Sequence, residues 1–194
     1  MELKTDSLEE EVRDAVKKWR FRVLEKSSRL ENGRDRSKVR EISFNMFSTP
    51  FRPFFRKLDS NDTIYVSTHR AFIYGLRKCG SSTRALVLRT SGYDLGKHFI
   101  QSREIRNLDD VPKVLAKHRI GLVDIVRESI DRFVVHIYEC LSCSGLPNLG
   151  ESLCDFEAGV LQGVFEALIG KNIVIEKQCW ALGNAYCGFE IIFL

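Results

Sequence analysis

The chain has 194 residues, of which 44% are hydrophobic, and its formal net charge is +4. This length is typical of a single domain with a buried core. No apolar run approaches the roughly 18 residues that a membrane-spanning helix needs. The first residues begin acidic and lack the apolar core of a signal peptide. We therefore expect a cytoplasmic protein with no membrane span, in which the six cysteines are reduced metal ligands or buried thiols.

The positive charge is concentrated in the N-terminal third of the chain. Residues 17–40 carry ten basic and three acidic side chains. Such an excess indicates either a surface that contacts nucleic acid or a solvated helix face followed by a charged linker. The sequence leaves both interpretations open.

Residues 7–26 are predicted to form an amphipathic helix. Ser7 and Glu10 match a capping box, in which the two side chains satisfy free backbone amides at a helix start. Apolar residues then recur at spacings of three or four, as on one face of a helix: Leu8, Val12, Val16, Trp19 and Val23. The charged segment that follows predicts a domain boundary near residue 40.

Residues 42–58 are rich in phenylalanine and are interrupted by Pro50 and Pro53. Because proline breaks a helix interior, we expect this segment to run extended and to add aromatic bulk to the core. An alternative is that its rings line a ligand pocket. The phenylalanines are Phe44, Phe47, Phe51, Phe54 and Phe55.

Three further helices are predicted before the first strand. The first starts near Ser67 and carries Phe72, Leu76 and Cys79 on one face, the second spans about 83–101, and the third has Pro112 in its first turn. The second also carries Gly92 and Gly96. Since a helical glycine costs about 1 kcal/mol relative to alanine, we expect close approach of another backbone or of a ligand there.

The pattern then alternates with a period of two. Residues 122–127 and 133–138 read as a hairpin, and residues 172–177 and 186–193 as a second strand pair. A helix of about 152–169 lies between the pairs, with Gly159 and Gly163 again four apart. This order predicts an α+β fold: a four-stranded antiparallel sheet with helices packed on one face, plus the N-terminal amphipathic helix.

The C-terminal forty residues contain a candidate metal site. Cys154 near a helix start, Glu176 and Cys179 at a strand end, and Cys187 across a Gly-Asn turn offer the four ligands of a closed tetrahedral zinc site. The spacing is also compatible with buried cysteines that simply pack as small apolar side chains. A second candidate is the Cys140-x-x-Cys143 pair, which could replace Glu176 or act as a redox pair.

Several motifs together resemble the 4-vinyl-reductase domain family. They are Gly92 to Gly96, Glu139 to Gly145, Cys154 to Gly159, Glu176 to Cys179, Gly183-Asn184 and Cys187 to Phe189. This family is similar in fold to the TRAPP trafficking subunits, which hold an acyl chain, and to the sensor domains of phenol-responsive transcription activators. The resemblance implies that residues 41–194 form a small-molecule-binding domain and that it dimerises. It also implies a structural zinc at Cys154, Glu176, Cys179 and Cys187.

We assign no catalytic residue, because the sequence has no Ser-His-Asp order, phosphate-binding glycine loop, zinc-protease motif or nicotinamide or flavin fingerprint. The predicted ligand-binding residues are Gly92, Gly96, His98, Phe99, Phe133 and Tyr138. The leading hypothesis is a zinc-stabilised domain that binds a small hydrophobic molecule in a sensory or regulatory role. The alternatives are a regulator that contacts nucleic acid through residues 17–40 and an accessory protein in tetrapyrrole metabolism.

Overall fold

A computed structural model describes residues 5–25, 38–40 and 50–194, and the side chains of the first helix from residue 7 to residue 20. The predicted aromatic residues Phe44 and Phe47, the side chain of Val23 and the linker over 26–37 lie outside the described residues. The helices are α1 (Thr5–Glu25), α2 (Pro53–Leu58), α3 (Asp62–Arg77), α4 (Ser81–Gln101), α5 (Asp110–Lys117) and α6 (Asp155–Leu168). The strands are β1 (Leu122–Arg127), β2 (Arg132–Tyr138), β3 (Asn172–Gln178) and β4 (Cys187–Phe193).

The four strands form one antiparallel sheet in the order β1-β2-β4-β3. Alternate residues of β2 are buried on one face, where Phe133 packs against Phe165 of α6 with ring centroids 5.5 Å apart. Because neighbouring residues of a strand point to opposite faces, this alternation buries one side of the sheet under the helices. The predicted α+β fold is confirmed.

Helices α4 and α6 pack with their backbones in direct contact. A Cβ atom built on Gly92 would lie 2.1 Å from the carbonyl oxygen of Phe156, and one built on Gly159 would lie 2.2 Å from that of Arg89. Gly96 and Gly163 occupy equivalent positions one turn further along each helix. The close approach predicted at Gly92 and Gly96 is therefore that of another helix backbone.

Helix α1 covers the β1 side of the molecule with the predicted apolar stripe. Leu8, Val12, Val16 and Trp19 are all buried. The Trp19 ring stacks on Tyr138 with centroids 6.1 Å apart, and its indole N–H donates to Glu139 at 3.1 Å. The helix already includes Thr5, so Ser7 lies inside it and the predicted cap position was wrong. In the part of the chain that the structure describes, no helix is both long and apolar enough to cross a membrane.

The expectation of an extended segment over 42–58 was wrong from Pro53 onward, where α2 begins. Proline is well suited to the first turn of a helix, since the amide it lacks has no partner there. The carboxylate of Glu139 accepts hydrogen bonds from the backbone N–H groups of Phe54 at 3.0 Å and Phe55 at 3.3 Å. A residue far along the chain thus caps α2, and no local pattern reveals it.

The predicted face of α3 was also wrong. Phe72 is 62% exposed, whereas the buried positions of this helix include Asp62 and Arg70. Asp62 forms an ion pair with Arg52 at 3.0 Å, and both side chains are fully buried. The inward face of α3 therefore carries charges that are paired across the fold, which a count of apolar positions cannot detect.

We expect Glu139→Ala to lower the free energy of unfolding by about 2 kcal/mol, because it leaves buried N–H donors of α2 and Trp19 without their acceptor. Urea unfolding followed by circular dichroism measures this loss. Glu139→Gln retains one acceptor oxygen and should lose less. An alanine variant as stable as the parent chain would contradict the capping role.

Candidate functional site

Four segments of the chain bring five cysteines together at one end of the sheet. Cys140 and Cys143 lie in the loop after β2, Cys154 is the residue before α6, Cys179 follows β3, and Cys187 begins β4. All five are at most 1% exposed, and none forms a disulfide. The sixth cysteine, Cys79, is exposed and lies outside this cysteine cluster.

The sulfur atoms are within contact distance of one another. The Sγ of Cys154 lies 3.5 Å from that of Cys140, 3.3 Å from Cys143, 3.6 Å from Cys179 and 3.4 Å from Cys187. Cys143 and Cys187 are 3.2 Å apart. In a tetrahedron with metal–sulfur bonds of about 2.3 Å, the sulfurs are separated by about 3.8 Å. The observed spacing is therefore close to that of thiolates around a metal ion.

Two sets of four donors satisfy a metal-ligand geometry, each with its donor atoms within 4.8 Å of one another. One set is the four predicted from the sequence, Cys154, Glu176, Cys179 and Cys187. The other replaces Glu176 and Cys179 by Cys140 and Cys143. Both candidate sites of the sequence analysis thus meet in one cluster and share Cys154 and Cys187.

Glu176 reaches the cluster from the inner face of β3. An irregularity in the β3–β4 pairing falls between Glu176 and Gln178, and such a bulge re-aims the side chains that follow it. One carboxylate oxygen of Glu176 accepts a hydrogen bond from Ser152, and the buried Oε1 has no hydrogen-bond partner among the residues that the structure describes. A buried oxygen of this kind fits a metal ligand.

The loop that carries Cys140 and Cys143 is held by two buried arginines. Arg52 donates to the carbonyl oxygen of Glu139 at 2.6 Å. Arg70 donates to the carbonyl oxygens of Leu141 at 3.1 Å and Ser144 at 2.6 Å. The sequence analysis missed both residues, because a buried arginine leaves no periodic signal and its partners lie far away in the chain.

Glu157, on the first turn of α6, supports the same loop from below. Its carboxylate accepts hydrogen bonds from the Ser142 amide at 2.9 Å and from the Ser142 hydroxyl at 2.8 Å. The Cys140 thiol lies 3.1 Å from it. The loop conformation also places Glu139 at a φ of 51°, in the left-handed region that a non-glycine residue seldom adopts. These contacts fix the direction in which the Cys140 and Cys143 side chains point.

Burial controls the ionisation of the cluster. It raises the pKa values of Cys143, Cys154 and Cys187 well above that of an ordinary thiol, and the neighbouring Cys140 raises them further. Burial, followed by the proximity of Cys179, raises the pKa of Glu176 to about 9. Without a cation most of these groups would be neutral, whereas a bound metal ion would favour the thiolates.

The residues predicted to bind a small molecule do not share one location. Gly92 and Gly96 contact the backbone of α6. Phe99 is buried against His118 with ring centroids 4.6 Å apart, whereas the side chain of His98 is half-buried elsewhere on α4. Tyr138 stacks on Trp19.

The remaining predicted residue, Phe133, lines a cleft of about 780 Å³ between α1, α5 and β1. Its floor is apolar and is formed by Val12, Val16, Leu108, Val123, Ile125 and Phe133. Basic side chains surround the opening: Arg13, Lys17, Arg20, Lys113 and Arg127. Acidic side chains are fewer: Glu9, Asp109 and Asp124. This volume lies within the usual range for small-molecule sites.

The profile of the 4-vinyl-reductase domain family matches residues 133–193, from the second residue of β2 to the end of β4. The chain carries a 4-vinyl-reductase domain. The matched stretch contains all five buried cysteines and Glu176, so the candidate metal ligands lie within this domain. Helix α1 and most of the cleft lie outside the matched residues.

Proteins of Methanocaldococcus jannaschii are similar in sequence. One uncharacterised protein is 37% identical over 100 residues, which are 51% of this chain and 61% of that protein. A second is 28% identical over 131 residues, which are 66% of this chain and 75% of that protein. The alignment therefore spans about three fifths of the first relative.

Two solved structures share the fold of this 4-vinyl-reductase-domain chain. The phenol-responsive sensory domain of the transcription activator PoxR, solved with phenol, has a TM-score of 0.54, 12% identity, and coverage of 66% of this chain and 73% of its own. Subunit 3 of the trafficking protein particle complex from Naegleria fowleri, covalently bound to palmitic acid, has a TM-score of 0.52 and 16% identity. That match covers 69% of this chain and 95% of the subunit. At these identities the likeness concerns the fold.

Proposed function

We propose that this protein binds a small, largely apolar molecule in a sensory or regulatory role, and that zinc in the cysteine cluster stabilises the domain. The observation that carries the ligand proposal is the cleft between α1, α5 and β1, with its apolar floor and basic opening. Apolar pockets with a few charged groups are typical of small-molecule sites. Both similar structures were solved with an apolar ligand, phenol in one and palmitic acid in the other, which supports this choice.

The charges at the opening of the cleft specify the ligand further. Five basic and three acidic side chains line it, an excess of two positive charges. Glu9 is paired with Arg13 at 2.7 Å, and Asp124 is paired with Arg20. An apolar molecule with one carboxylate would place its chain on the floor and its charge among the basic groups. We therefore propose an anionic amphiphile as the ligand class.

Zinc is the proposed metal because the donors are thiolates and one carboxylate in a closed, buried arrangement. Sites of this kind are usually structural. When bound, zinc would hold the loop after β2, the start of α6 and the β3–β4 turn together. The closed donor set leaves no position for a water ligand, so we propose no hydrolytic role for the metal.

We also propose that the protein is a cytoplasmic homodimer, and the family resemblance supports the dimer. Contact with nucleic acid through residues 17–40 remains an alternative prediction from the sequence. A role in tetrapyrrole metabolism likewise remains a prediction, and it would require tetrapyrrole binding in an absorbance titration.

We expect octanoate to raise the melting temperature of the protein, and octanol to raise it less. A ligand at 100 times its dissociation constant stabilises by about 2.7 kcal/mol, which corresponds to roughly 5–10 °C for a chain of this size. Differential scanning fluorimetry measures both shifts.

Two variants test whether the cleft is the site. Lys113→Gln, at the opening, should remove most of the difference between octanoate and octanol, whereas Lys171→Gln, on an exposed residue outside the cleft lining, should leave it unchanged. Ile125→Trp should fill the floor and abolish both shifts without altering the ligand-free melting temperature by more than a few degrees. Failure of both compounds to stabilise the parent chain would sink the ligand proposal.

A further inference from the structure

We infer that the cysteine cluster holds two metal ions, with Cys154 and Cys187 as bridging thiolates. The first ion would be bound by these two residues together with Glu176 and Cys179. The second would be bound by the same two bridges together with Cys140 and Cys143. This inference rests on the metal binding proposed above and adds a second ion to it.

The number of donors carries the first step. Two sets of four donors share two members, so six donor atoms are available, and a single tetrahedral ion uses four. A site for one ion would leave a pair of buried donors unused. The six donors come from four separate segments of the fold, which makes their convergence a property of the tertiary structure.

Either site with one ion leaves crowded or unpaired groups. If the ion used only the set with Glu176, the Cys140 and Cys143 thiols would remain packed 3.5 and 3.3 Å from the Cys154 sulfur. If it used only the four-cysteine set, the buried Oε1 of Glu176 would keep no partner among the described residues. Two ions give every one of these groups a ligand role.

The distance between the shared sulfurs is suitable for bridging. The Sγ atoms of Cys154 and Cys187 lie 3.4 Å apart. Two tetrahedra with bonds of about 2.3 Å that share such an edge place their metal ions about 3 Å apart. Each bridging thiolate then lies between the two cations and reduces their repulsion.

The second ion adds no net charge to the buried site. One divalent ion with three thiolates and a carboxylate carries a formal charge of −2, with Cys140 and Cys143 as neutral thiols. Binding of a second divalent ion releases the two thiol protons, so the charge stays at −2. The buried guanidinium of Arg70, which is bound to the loop of Cys140 and Cys143, partly offsets this charge.

Metal content provides the first test. Protein purified after growth in zinc-supplemented medium should contain two zinc ions per chain by mass spectrometry of the metal against amino-acid analysis. The Cys140→Ser/Cys143→Ser and Glu176→Gln/Cys179→Ser double variants should each retain one. Cys79→Ser, which changes the exposed cysteine, should retain two.

Cadmium-113 NMR provides a second test that needs no variant. Protein produced with cadmium-113 should show two resonances in the range of thiolate-rich sites, each split by the other through the shared sulfurs. A single resonance, or two resonances without mutual splitting, would overturn the bridged arrangement.

The outcomes separate this inference from the proposed function. One zinc per chain in the parent protein would overturn the second ion and leave the structural zinc intact. The double variant that then loses the zinc identifies the set that binds it. A folded parent protein without any metal would overturn both.

Discussion

Cys154→Ser is expected to abolish metal binding and to remove most of the stability of the domain. Cys154 belongs to both donor sets, and its sulfur lies within 3.6 Å of four other cysteine sulfurs. A serine hydroxyl stays protonated at neutral pH and does not replace a thiolate ligand. Structural zinc sites supply about 10 kcal/mol or more of apparent binding energy, which is similar to the whole stability of a typical domain.

Metal content and thermal unfolding by circular dichroism measure the two effects of this change. Cys79→Ser is the matched control, since it makes the same substitution at an exposed cysteine outside the cluster. It should change the free energy of unfolding by no more than about 0.5 kcal/mol. A Cys154→Ser protein that keeps both its metal and its melting temperature would show that the cluster is packing, not a metal site.

The strands were the most predictable part of the fold. The period of two over residues 122–127 predicts β1 with its observed bounds, and the other strands differ from their predicted ends by one residue. Side chains of an antiparallel strand with one solvated face alternate between core and solvent, so the sequence itself records the two faces. The paired glycines of α4 and α6 were visible for a similar reason, because their cost in a helix requires a compensating contact.

The cluster was predictable only in part. Cys179 and Cys187 flank a short turn at Gly183, so a hairpin alone brings them near each other. The approach of Cys140 and Cys143 to Cys154 depends on where the loop after β2 crosses the start of α6, which is a tertiary contact. Spacing therefore identified two competing donor sets, and the structure unites them.

Buried charges were beyond reach of the sequence pattern. Arginine and aspartate are rarely buried unless they are paired, so Arg52, Asp62 and Arg70 read as surface residues. Their partners lie between 10 and 87 residues away. The same pairing inverted the predicted face of α3, where apolar Phe72 is exposed and charged Arg70 is buried.

Gly96→Ala is expected to destabilise the domain by about 3 kcal/mol, or roughly 10 °C in melting temperature. A Cβ atom at this position would lie 2.3 Å from the carbonyl oxygen of Val160 and 3.0 Å from the amide nitrogen of Val164. Both are backbone atoms of α6, so they cannot move aside as a flexible side chain would. The two helices would have to separate, and the contacts along their whole interface would weaken.

The matched control is Gly75→Ala, a change of the same residue type inside α3. No atom lies within 4 Å of a Cβ built on Gly75, so alanine should stabilise the protein by up to about 1 kcal/mol through its higher helix propensity. The two variants share the intrinsic gain from alanine, and their difference in urea unfolding isolates the contact between α4 and α6. Equal stabilities would mean that the helices can part without cost, and the close packing of the two backbones would then contribute nothing to the fold.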